Sequence, residues 1–259
     1  MTEYSPLLAL FALAPELRKA SDQTLSIYVE ARAEGYEASH YGIVFRALEH
    51  RYADRLSPQQ TEVVNREMPR LRAHLSLLKP AGCPALAGFG DEASGVLRLI
   101  PLRAPTENRL EVGAPLFAPI LRQLEEFPPA LIVAVDKDEA RIYAALLGDM
   151  LPREHLSGAE VVRHSRSGGT SAESNQRKAD NHATANLERF VGAVEVEMKS
   201  GAYQGLYIAG PREARKQFEG MLPDHLGRLV LGRIPAHMAS PTLQHELRER
   251  LVAAAPASS

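Results

Sequence analysis

Gly168 and Gly169 stand among basic and small polar residues in RHSRSGGTSAESNQRKADNH, residues 163–182. His164 and Arg166 precede them, and Arg177 and Lys178 follow. Three kinds of chemistry fit this arrangement. Glycines ahead of a helix let the backbone approach an anion, and the free N–H groups of a helix start hold phosphate. The same pair serves as a permissive turn before a capping box, with Thr170 as N-cap and Glu173 three residues on. A loop tip of this type also fits against RNA, with the four flanking cationic residues meeting phosphates. Neither G-x-x-x-x-G-K-[ST] nor G-x-G-x-x-G is present, so nucleotide binding lacks its fingerprint.

Other reactive side chains are few. Asp136, Asp138 and Glu139 follow an apolar run, where carboxylates of a nuclease would hold magnesium. With Lys137 between the charges, the plainer reading is a hairpin turn. There is no second carboxylate pair on a strand to complete a two-metal site. The nine histidines are scattered without an H-E-x-x-H, and there is no G-x-S-x-G. The single cysteine, Cys83, precludes an internal disulfide and fits a reducing, cytoplasmic setting. Neither a metal nor a cofactor is expected.

These residues need a scaffold, and 259 residues at 45% hydrophobic content suffice for one large domain or two smaller ones. A formal net charge of −2 argues against bulk coating of nucleic acid and leaves room for a local basic patch. The N-terminal MTEYSPLLALFALAPELRKA reads as a buried helix rather than a signal peptide, since no basic segment leads the apolar run. No apolar stretch approaches membrane-spanning length, so no membrane partner is expected.

Leu25–Val29 reads as a strand. Ser57, Pro58 and Gln60 open a helix that runs to about Leu78 on the stripe Val63, Val64, Leu71, Leu75. Leu86–Phe89 and Val96–Leu102 read as strands, and Pro115–Leu124 as a short helix. Pro128-Pro129 then marks a boundary. Beyond it, Leu131–Val135 is a continuous apolar run, as in a strand buried on both faces. Ala140–Leu147 and Glu160–Arg163 are the next expected strands. A helix over about 171–198, a strand at Leu206–Ala209, a helix at Pro211–Phe218, a strand at Leu229–Ile234 and a helix at Thr242–Val252 complete the order. This is α/β, with an N-terminal α+β domain (1–126) and a mixed-sheet domain resembling ribonuclease H (129–240). A C-terminal helix and loose tail follow (241–259).

The long helix has an apolar face only from Leu187 onward: Leu187, Phe190, Val191, Val194, Met198. Before that the residues are polar all round. About fifteen such residues would carry the Gly-Gly pair roughly 20 Å outward on an arm.

Several segments together resemble the bacterial relatives of the archaeal and eukaryotic class 1 peptide chain release factors. They are CPALAGFG (83–90), VGAPLFAPILRQLEE (112–126), ALIVAVDKDEARIYAALLGDM (130–150), HSRSGGTSAESNQRKADNH (164–182), LYIAGPREARKQFEGMLP (206–223) and GRLVLGRIP (227–235). The resemblance implies a cytoplasmic, ribosome-associated protein that meets rRNA and peptidyl-tRNA in stalled or idle ribosomes. It implies Gly168 and Gly169 as the loop tip, with His164, Arg166, Arg177 and Lys178 on RNA phosphates. In the family a glutamine after the two glycines helps place water on the peptidyl-tRNA ester. Here Thr170 occupies that place, Ala172 stands where the bacterial relatives often carry a glutamine, and Gln176 is the nearest one available. A weak hydrolase using Gln176 or the Thr170 hydroxyl, and a Pelota-like or hibernation-type A-site binder without hydrolysis, are the two readings this leaves. A metal-dependent nuclease on the same fold is the third. The chain ends soon after the middle-domain-like segment, so the family's partner-recruiting third domain is expected to be absent.

Overall fold

The computed structural model describes residues 4–30, 38–77, 83–158 and 170–253. They divide into two compact units. One comprises Met1–Pro129, Leu146–Asp149 and Arg248–Ser259, and the other Ala130–Ala145 and Met150–Leu247.

The first unit is built on an antiparallel sheet of β1 (Thr24–Glu30), β2 (Ala85–Asp91), β3 (Val96–Leu102) and β4 (Arg109–Gly113), in the order β3-β2-β1-β4. Alternation along β1 sorts its side chains to two faces. Leu25, Ile27 and Val29 meet Tyr41, Phe45 and Leu48 of α2 (Ala38–Tyr52) and Val64, Met68, Leu71 and Leu75 of α3 (Pro58–Leu77). On the opposite face the Tyr28 ring meets Phe89 at 6.2 Å. Phe89 packs on Phe117 at 5.3 Å, and Phe117 on Phe11 at 5.7 Å. That chain of rings ties the sheet to α1 (Pro6–Leu13) and α4 (Ala118–Glu126). The capping box at α3 forms in both directions: Ser57 N–H donates to Gln60 Oε1 at 3.0 Å, and Gln60 N–H to Ser57 Oγ at 3.3 Å.

Two fully buried carboxylates fix the β2–β3 turn. Glu67 accepts from Arg66 Nε at 2.8 Å, from the Glu92 N–H at 2.9 Å and from Arg70. Asp91 accepts from the Ser21 hydroxyl at 2.7 Å, the Ser21 N–H at 3.1 Å and the Ser94 N–H at 3.2 Å. Burial alone would raise the Asp91 pKa, but the hydrogen bonds from Ser21 and Ser94 outweigh it and hold the carboxyl below its usual value. A folded-state pKa below the unfolded one stabilises the protein above the ordinary carboxylate range. That stability is lost as pH falls through the folded value. Below about pH 4, Asp91→Asn is expected to lose Tm less steeply than the wild type. Identical acid slopes in a thermal-melt series would count against this.

The second unit holds, apart from the Leu146–Asp149 tip of one hairpin, a five-stranded sheet of β5 (Ala130–Val135), β6 (Glu139–Leu146), β7 (Asp149–Ser157), β8 (Gly205–Gly210) and β9 (Val230–Pro235). The order is β7-β6-β5-β8-β9, with β5 antiparallel to β6 and parallel to β8, and β8 parallel to β9. Numbered within the unit this is 3-2-1-4-5, the ribonuclease-H-like arrangement. All six residues of the central β5 are buried, which accounts for its unbroken apolar run. Helices α5 (Thr170–Met198), α6 (Arg212–Met221), α7 (Asp224–Gly227) and α8 (Leu243–Ala253) follow in the chain. The fold is α/β: an antiparallel α+β unit and a mixed-sheet unit with a long helix.

One strand was not expected and one expected strand cannot be placed. The third strand of the second half lies at Asp149–Ser157, whereas Glu160–Arg163 falls outside the described residues. The β6–β7 turn is Leu147-Gly148, and Leu147 takes φ 54°, a conformation that favours glycine. Its side chain is buried, which offsets the strain. The strand itself has exposed Pro152, Arg153, Glu154 and His155, which suit a sheet edge and hide the strand pattern.

Candidate functional site on the long helix

Helix α5 has 29 residues, about 43 Å at 1.5 Å per residue. Its two ends differ in character. From Ala183 to Val194 it packs: Ala183, Asn186, Leu187, Phe190, Val191 and Val194 are buried. The buried face thus starts one turn earlier than Leu187, because Ala183 is small enough to close against the unit. N-terminal to Ala183, every side chain described is exposed: Arg177, Asp180, Asn181 and His182. The thirteen residues from Thr170 to His182 extend over about 20 Å.

Where packing begins, the helix is clamped. Asn186 Nδ2 donates to the Lys137 carbonyl at 3.0 Å. Gly158, just past β7, lies so close to Asn186 that any Cβ there would overlap the carboxamide. The Gly158 N–H donates to the Asp138 carbonyl at 2.6 Å, and the Arg189 guanidinium donates to the Ser157 carbonyl. Further along, Glu197 receives Arg153 at 3.4 Å and Tyr203 Oη at 3.3 Å. Burial, with Glu197 adding to it, pushes the Tyr203 phenol up to about 12, so it stays a donor at every working pH.

Of the residues singled out from sequence, Thr170 opens the helix, and Gln176, Arg177 and Lys178 lie within its first three turns. Arg177 is exposed. Gly168, Gly169, His164 and Arg166 lie outside the described residues, as do the side chains of Thr170, Gln176 and Lys178. Helical rise puts Gln176 about 9 Å along the axis from Thr170.

Asp136, Asp138 and Glu139 form the β5–β6 turn. The Asp136 N–H donates to the Glu139 carbonyl at 2.9 Å, and the Lys137 N–H to Asp136 Oδ1 at 2.8 Å. The Glu139 carboxylate is held by Arg141 and His155, each at 3.2 Å. Among the described residues no group of three or more His, Cys, Asp or Glu side chains is placed to hold a metal ion. Burial pushes the Cys83 thiol up to about 12, which keeps it protonated and unreactive. A cleft of about 410 Å³ in the first unit sets Arg109 and Arg122 beside Glu107 and Glu126 around Tyr28, with no nucleophile and base converging in it. Among the described residues no helix is long and apolar enough to cross a membrane.

Comparison with known proteins bears on this site. The model of bacterial archaeo-eukaryotic release factor family 10 matches residues 115–256, more than half of the chain. No curated protein matches. Among solved structures, an archaeal protein is 17% identical over 97% of this chain and 70% of its own, with a TM-score of 0.36. An archaeal translation termination factor is 16% identical over 95% of this chain and 73% of its own, at TM-score 0.34. The Pelota protein of Thermoplasma acidophilum is 16% identical over 63% of this chain and 46% of its own, at 0.33. The family match spans the mixed-sheet unit and all of α5. The chain belongs to bacterial archaeo-eukaryotic release factor family 10.

Proposed function

We propose that this protein acts on ribosomes, using the N-terminal half of α5 as an arm that carries the Gly168-Gly169 pair toward peptidyl-tRNA in stalled or idle ribosomes. One observation carries this reading. The first thirteen residues of α5 have no buried side chain among those described, and the glycine pair immediately precedes them in sequence. A helix with no apolar face does not repay its ordering by burial in its own domain, which supports a partner outside the domain. Membership of a release-factor-like family supports RNA as that partner. Arg177 and Lys178 then meet rRNA phosphates, and His164 and Arg166 do so on the other side of the glycines. The protein is expected in the cytoplasm, where ribosomes are.

The departure at Thr170 favours the non-catalytic form of this reading. A glutamine adjoining the glycines would act at the tip, whereas Gln176 lies about 9 Å down the axis from Thr170. Occupancy of the A site, as a rescue or hibernation factor does, needs the arm but not that glutamine.

Ribosome co-sedimentation tests the reading. The wild type is expected to pellet with ribosomes at low salt. Arg177→Glu with Lys178→Glu should weaken pelleting about tenfold or more at physiological salt, through two lost phosphate contacts and two added repulsions. Wild-type protein that stays in the supernatant at every salt concentration would sink the proposal.

A further inference from the structure

Helix α6 carries an unbalanced set of charges. Its sequence from Arg212 is REARKQFEGM, with Arg212, Arg215 and Lys216 at spacings of three and four, so all three share one face. Arg212 and Lys216 are exposed and Arg215 is half-buried. Both acidic residues of the helix form their ion pairs with residues outside it. Glu213 is met by Lys137 Nζ at 3.7 Å. Glu219 takes both donors of Arg233, one at 2.7 Å. Those Arg233 hydrogen bonds hold the Glu219 carboxyl below its usual range despite some burial, with Arg215 adding a smaller effect. Among the described residues no carboxylate forms an ion pair with Arg212, Arg215 or Lys216. Arg215 Nε is withdrawn from solvent with no hydrogen-bond partner.

This placement runs against two local rules. Like charges at i, i+3 and i+4 repel. Cations in the first turns of a helix also oppose its dipole, which favours anions there. Glu219, four residues after Arg215, offsets part of this, but its hydrogen bonds go to Arg233 and the ion pair of Glu213 goes to Lys137, so the exposed Arg212 and Lys216 are suited to an external polyanion.

We propose that the Arg212–Arg215–Lys216 face of α6 is a second contact for an RNA phosphate backbone, additional to the α5 arm. RNA, rather than an acidic protein or a lipid surface, follows from the ribosome reading, on which this inference rests. Three cations on one rigid face touch successive phosphates without reading bases, so the contact adds affinity and orientation but no sequence preference.

Fluorescence anisotropy with a labelled RNA hairpin, titrated with full-length protein as KCl is raised, tests it. At about 0.1 M salt, Arg212→Gln with Lys216→Gln is expected to weaken binding roughly twenty- to sixtyfold and to flatten the log K against log salt slope by about 1.4 to 1.8. The Tm should hold or rise, because both side chains are exposed and their neutralisation relieves the dipole. An unchanged slope would overturn the inference. So would wild-type binding to phosphatidylserine vesicles as tight as to RNA and lost in the same variant, which would assign the face to a membrane surface. Co-sedimentation separates this inference from the ribosome reading. If the α5 variant leaves the pellet and the α6 variant stays at wild-type affinity, only the α6 contact is refuted. If the wild type does not pellet yet binds the hairpin with the stated slope, only the ribosome reading is.

Discussion

Gly210→Ala is expected to lower the Tm by roughly 4–24 °C. Gly210 ends β8 at φ 127°, where side chains are strained whatever the space. A Cβ there would also overlap the carbonyl oxygen of Val135, the last residue of the neighbouring β5. Backbone strain costs about 1–3 kcal/mol, and pushing the central strand aside costs about as much again. For a chain of this size each kcal/mol moves Tm by about 2–4 °C. Gly192→Ala is the control. Nothing lies within 4 Å of a Cβ at that position inside α5, so the substitution should stabilise the helix by about 0.5–1 kcal/mol. Calorimetry on the two variants measures the contrast. Equal Tm values would show that Val135 and Gly210 are not packed as described.

Gly168→Ala with Gly169→Ala is expected to leave Tm nearly unchanged while removing ribosome function. The pair adjoins, in sequence, the end of α5 farthest from its packed region, so little effect on the stability of the unit is expected. Two methyl groups would instead keep the backbone from close approach to RNA. Gln176→Ala then separates catalysis from occupancy on wild-type ribosomes charged with peptidyl-tRNA. A group that positions water supplies on the order of 10²–10³ in rate, so a hydrolase using Gln176 would lose that much at unchanged binding. We expect no change in either, in keeping with an A-site binder. If the glycine pair alters only Tm, the segment is a capped turn and the arm has no RNA role.

Legibility differed between the units for physical reasons. In the mixed-sheet unit, β5 was readable because a central strand is apolar on both faces, and the packed part of α5 because its 3.6-residue stripe is unbroken. In the first unit α2 and β4 escaped the reading. The stripe Tyr41, Phe45, Leu48 is interrupted by Gly42 and Val44, which are poor helix formers. Strand β4 is an edge strand with one buried residue, so it has little alternation to read. The long-range partners of single residues had no local signal. Nothing near Asn186 in the chain points to Lys137 or Gly158, and nothing near Glu219 points to Arg233.

The sequence alone determined the α/β class, the polar stretch behind Gly168-Gly169 and the lack of a glutamine beside that pair, because these depend on composition and short-range periodicity. Tertiary structure decided the rest. The strand order β7-β6-β5-β8-β9, the Leu147-Gly148 turn and the start of packing at Ala183 depend on which surfaces close over one another. So does the pairing around Arg212, Arg215 and Lys216. Their charges are plain in the sequence, but only the fold brings Lys137 to Glu213 and Arg233 to Glu219, so that among the described residues none of the three cations forms an ion pair with a carboxylate. A local pattern fixes which face of a segment is apolar or charged, and the balance of that face is set by residues distant in the chain.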